Sequence, residues 1–162
     1  MTDHVAQVME QWRRERPDLD PAPQAVIARL HRIAGRLTEE LIAVYAEHGL
    51  AEGEFDILAT LRRQGAPYAL SAGELAAQTM VTSGAITKRV DRCIARGWVT
   101  RAPSEADARG RVVALTDDGR ALIDVAFAEH LANEDRLLAP FDAAEREQLA
   151  GLLARWAQAL EL

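Results

Sequence analysis

Cysteine, lysine and long apolar runs are scarce in this chain, and each scarcity closes off a class of function. Cys93 is the only cysteine among 162 residues. One thiol cannot make an intramolecular disulfide or a multi-cysteine metal site, and it suits a reducing cytosol. Lys88 is the only lysine among 19 basic residues, a bias that, with abundant alanine, reads as a GC-rich bacterial genome. No stretch of about 18 apolar residues occurs, and the N-terminus has neither a basic start nor an apolar segment. Secretion and membrane insertion are therefore not expected, and a cytoplasmic location is. The four histidines, His4, His31, His48 and His130, lack the close spacing of a metal site. Phosphate loop, nucleophile elbow and zinc-protease helix are all missing, so neither an enzyme nor a cofactor is expected.

What is present is a chain that can fold. Apolar residues make up 49% and charged residues 27%, enough for a core and a soluble surface. The net charge of −6 argues at first against a nucleic-acid partner. Its distribution argues the other way. Between Ile86 and Arg111 stand seven basic residues, Lys88, Arg89, Arg92, Arg96, Arg101, Arg109 and Arg111, against Asp91, Glu105 and Asp107. That segment carries +4 and the remainder −10, a polarity suited to touching a polyanion with one face.

Periodicity divides the chain. Val5, Val8, Met9 and Trp12 recur at helical spacing over Asp3 to Arg16, until Pro17, Pro21 and Pro23 interrupt. Ile27, Leu30, Ile33, Leu37, Leu41, Val44 and Tyr45 continue the 3–4 spacing from Gln24 to His48, and Phe55, Leu58 and Leu61 do so from Glu52 to Gln64. Ser71-Ala72-Gly73-Glu74 has the form of a capping box and predicts a short helix to Gln78. Thr82-Ser83 caps the next, predicted from Gly84 to about Arg96, with Ile86, Val90, Cys93 and Ile94 inward and Gly97 at its end. Trp98 to Arg101 and Arg111 to Leu115 are β-prone, and the polar stretch between them reads as a hairpin tip. Thr116 caps a long helix to about Leu138. A final helix from Ala143 carries Leu149, Leu152, Leu153, Trp156 and Leu160 on one stripe.

Two short capped helices followed by a β-hairpin make a winged helix-turn-helix. The fold class expected is thus mainly α, with long N- and C-terminal dimerisation helices. The second short helix begins with small residues, so Thr82, Ser83 and Thr87 can meet base edges or phosphates in the major groove. Lys88 and Arg92 add charge beside them. Arg109 and Arg111 belong to the wing, where a guanidinium can enter the narrow minor groove. The plain alternative is a set of solvated charges on an exposed helix and hairpin. Caps, wing and charge coincide, which favours double-stranded DNA as partner. A winged helix used only for protein contacts is the rival, separated by the salt dependence of duplex binding.

Several segments resemble MarR-type regulators: Gly53-Glu54-Phe55-Asp56-Ile57-Leu58, Thr82-Ser83-Gly84-Ala85-Ile86-Thr87-Lys88-Arg89-Val90, Arg96-Gly97-Trp98-Val99, and Asp107-x-Arg109 through Val113-Ala114-Leu115-Thr116. Cys93 stands where that family commonly has a bulky aliphatic. The resemblance implies a homodimer in which residues 1–52 and 118–162 supply dimerisation helices around a DNA-binding region at 53–117. It implies a ligand-responsive repressor. The terminal stripes independently call for a partner, and a second copy would set two recognition helices about 34 Å apart over a near-palindromic operator.

The chain is similar, further, to a urate-responsive branch with an extra N-terminal helix. The resemblance implies a site for a small planar aromatic anion formed by Trp12, Asp56, Arg89 and Arg101. Trp12 offers a face for stacking, Arg101 a fork for an anionic edge, and Asp56 a partner for Arg89. Each has a plainer role too: Trp12 as a packing anchor, Asp56 as a solvated acid, and the arginines as phosphate contacts. Sensing of oxidants is a separate alternative that requires a reactive Cys93. That residue falls on the inward stripe.

Overall fold

Asp3 starts the first helix. In the computed structural model, which describes residues 3–79, 86–103 and 110–161, its carboxylate accepts from Ala6 N at 2.8 Å and caps α1 (His4–Glu15). It also accepts from Arg29 Nε at 2.7 Å, on α2 (Gln24–Glu47). The guanidinium, then the backbone amide, hold the Asp3 carboxyl below the usual carboxylate range. Val5 and Met9 are buried. These contacts belong to the first of two compact units, Met1–Leu41; the second, Ile42–Leu162, takes the last turns of α2.

The second unit holds α3 (Glu52–Arg63), β1 (Ala69–Ser71), α4 (Ala72–Gln78), α5 (Ile86–Ala95), β2 (Val99–Pro103), β3 (Arg111–Leu115), α6 (Asp117–Leu137) and α7 (Ala143–Ala159). The strands form an antiparallel sheet in the order β1-β3-β2. Val99 faces Leu115 and Pro103 faces Arg111, so the hairpin expected from the sequence is in place. Its core is made by Ile57, Leu58 and Leu61 of α3, Leu75 of α4, Val90 and Cys93 of α5, Val99, Val113, and Ile123 of α6. This is the mainly helical, winged architecture that the periodicity predicts.

One element was not predicted. β1 pairs Leu70 with Val113 and makes the two-stranded wing a three-stranded sheet. Three residues are too few to show a period of two, and the strand exists because β3 offers a free edge. The helix predicted from Gly84 is described from Ile86. Thr82, Ser83 and Arg109 lie outside the described residues.

Capping fixes the start of α4 as the sequence predicts. Ser71 Oγ accepts from Glu74 N at 3.2 Å, and Glu74 Oε2 accepts from Ser71 N at 2.9 Å. At α6, Thr116 Oγ1 accepts from Gly119 N at 3.0 Å and donates to Gly97 O at 2.8 Å, tying the helix to the entry of β2. α7 differs from every other helix here in its burial: Asp142 caps it, yet none of its residues is buried.

Candidate nucleic-acid interface

α5 is strongly two-faced. Val90 and Cys93 are buried, whereas Thr87, Lys88 and Arg92 are exposed. A spacing of three to four turns the apolar side onto α3 and β2 and leaves the polar side open, which is what a helix entering a groove needs. Arg111, on β3, is exposed as well and donates from Nη1 to Gly110 O at 3.0 Å. Thr87, Lys88 and Arg111 are therefore open to solvent. Arg92 has a second occupation: its Nε donates to Glu54 Oε1 at 2.8 Å.

The four residues of the expected ligand site are distributed unevenly. Trp12, 47% exposed, belongs to the first unit, where it lines a hollow of about 290 Å³ with Leu19, Asp20, Pro21, Pro23 and Gln24. Asp56, Arg89 and Arg101 belong to the second. Asp56 is half-buried on α3, and its charge is one of those that, after burial, raise the Tyr45 hydroxyl to about 12. Arg101 is held by Asp91 of α5, Nη2 to Oδ1 at 2.9 Å, and so braces β2 against α5. Arg89 lies flat on the first turn of α3. A Cβ built on Gly53 would come within 2.5 Å of its Nε and Cδ. Its Nη1 is buried and has no hydrogen-bond partner among the described residues.

Glu54, Gly53 and Asp91 are functional neighbours that the sequence reading passed over. Glu54 did leave a sign. It falls on the same stripe as Ile57, Leu58 and Leu61, where an acid is out of place unless it is paired. Cys93, in contrast, is as inward as expected. Burial first, and then the charge of Glu54, push its thiol up to about 12, which removes the thiolate that an oxidant sensor requires. Among the described residues no group of His, Cys, Asp and Glu could hold a metal ion, and no helix is long and apolar enough to cross a membrane.

The MarR family's profile matches residues 48–110, a span running from just before α3 to the tip of the wing. Beyond it, the chain is 43% identical over 151 residues to the HTH-type transcriptional regulator PecS of Dickeya dadantii (strain 3937), covering 93% of this chain and 91% of that one. The chain belongs to the MarR family. Among solved structures of this family, Sco3205 of Streptomyces coelicolor in complex with DNA superposes with a TM-score of 0.79 at 21% identity, over 89% of this chain and 91% of that one. A mutant MarR of Escherichia coli complexed with operator DNA superposes with a TM-score of 0.72 at 25% identity, over 85% of this chain and 98% of that one. This MarR-family chain is accordingly a DNA-binding transcription regulator and not an enzyme.

Proposed function

We propose that this MarR-family protein is a homodimeric repressor that reads a near-palindromic operator through Thr87, Lys88 and Arg111, together with Thr82, Ser83 and Arg109, and that a small planar aromatic anion releases it. The observation that carries the ligand reading is Arg89. Its guanidinium is spread on bare backbone at Gly53, with one terminal nitrogen buried and without a hydrogen-bond partner among the described residues. A buried cationic donor without an acceptor costs free energy that an anionic ligand would recover. Because Arg89 stands on α5, the same anion would bias the position of the recognition helix. Arg101 supplies a second guanidinium in this reading, and Asp56 the acid that a ligand anion would repel.

A mobility-shift titration on the DNA upstream of the protein's own gene tests it, with urate and simple phenolic acids as probes. The expected result is loss of the shifted band at saturating probe, and a weaker response in Arg89→Ala. Operator binding unchanged by every probe would mean that the four residues are structural or that the effector is of another class.

A further inference from the structure

We infer that Glu54 is a positioning residue for DNA recognition: its carboxylate anchors Arg92, so that this arginine sets the presentation of α5 instead of contacting a phosphate. The inference rests on the DNA-binding role of α5 and reassigns one of its charges.

Glu54 is 7% exposed, and its two carboxylate oxygens serve different elements. Oε2 accepts from Ala51 N at 2.9 Å, closing the N-terminus of its own helix. Oε1 accepts from Arg92 Nε at 2.8 Å, on α5. A carboxylate with both oxygens used, sunk beside Ile57 and Leu58, is tolerated only while its cationic partner stays. The next residue back completes the arrangement. Gly53 presents bare backbone to Arg89, three residues before Arg92 and hence on the same face of α5. Two consecutive residues in the first turn of α3 thus seat two arginines of the recognition helix, one by having no side chain and one by having a buried charge.

A phosphate contact is the competing role for Arg92, whose side chain is 54% exposed. Charge decides against it. With Glu54 at hydrogen-bond distance, the pair offers a polyanion almost no net charge, and the Nε edge of the fork is already taken. Lys88, exposed on the same helix, makes no ion pair among the described residues.

The two roles differ in salt dependence. A lost phosphate contact lowers the slope of log K against log salt by about one, whereas a lost positioning contact lowers K and leaves the slope alone. Glu54→Gln keeps the backward hydrogen bond to Ala51, because glutamine also closes a capping box, but removes the charge that holds Arg92. Operator affinity would be measured by fluorescence anisotropy across a salt series for wild type, E54Q, R92A and the double variant, with R92Q as a stand-in if R92A does not fold. Circular dichroism confirms the fold of each. We expect E54Q and R92A each to lose roughly tenfold in affinity, the double variant to lose no more than R92A alone, and all slopes to equal that of wild type. A slope reduced by about one in R92A, with affinity kept or raised in E54Q, would overturn the inference and make Arg92 a phosphate contact. Steep, salt-sensitive binding by wild type tests the DNA-binding role separately from either outcome.

Discussion

At Cys93 the thiol is closed off from solvent, and its pKa rises from an ordinary value near 9 to about 12 by burial, then by the charge of Glu54, with Arg92 pulling the other way. Native protein at pH 8 should therefore resist a thiol reagent such as DTNB, reacting only as fast as it unfolds; complete labelling within seconds would place the thiol at the surface. The same shift has a stability consequence. Between pH 9 and 12 the unfolded thiol has lost its proton and the folded one has not, so stability is fully present below pH 9 and falls as pH rises through that window. Cys93→Ala should flatten this alkaline loss when denaturant midpoints at pH 8 and pH 10 are compared. Gly119 is constrained by space. A Cβ there would lie 2.0 Å from Trp98 O, and that oxygen cannot easily withdraw, because Thr116 N donates to it at 3.0 Å. Gly119→Ala should cost about 1–3 kcal/mol, seen as a lower urea midpoint at unchanged m-value.

Among the elements, α4 has seven residues and would be marginal alone. Its box of Ser71 and Glu74 is therefore worth more than it would be in a longer helix. Ser71→Ala should cost about 1 kcal/mol by urea denaturation and weaken operator binding, since α4 and α5 both pack on α3; full stability in the variant would show that packing of Leu75 alone holds the helix. This box was legible from four adjacent residues because capping is local. So were the helices and the β2-β3 hairpin, whose periods repeat within a few residues. β1 was not legible, because it is defined by its register on Val113, 43 positions after Leu70. Glu54 and Arg92 are 38 residues apart, and only the acid's place on an apolar stripe hinted that something must answer it. For Trp12, Asp56, Arg89 and Arg101, spacing alone carried no information about convergence: the first falls in one compact unit and the others in another, Arg101 is engaged by Asp91, and Arg89 rests on Gly53.

For the whole molecule, the telling fact is apolar surface left uncovered by a single chain. α7 is a capped helix of 17 residues that buries none of them, with Leu152 47% and Leu153 43% exposed and its C-cap Leu160 58% exposed. In the same unit Val125, Phe127 and Leu131 on α6 are about half exposed. Isolated leucines on a surface need no explanation, but a helix with an apolar stripe and no buried residue does, and an interface would supply one. A second copy is the occupant that also makes sense of the charge: with −10 outside the basic segment and +4 within it, two chains joined away from α5 would present two cationic faces to one duplex and acid elsewhere. Placing Asp at Leu152 and Leu153 together should then convert the protein to a monomer in sedimentation velocity. Operator affinity should fall with it, by roughly a hundredfold or more, because the second half-site would no longer be engaged at the high local concentration that tethering provides. A wild-type chain that sediments as a monomer, or a monomeric variant that binds the operator as tightly as wild type, would leave the exposed stripe of α7 without this role.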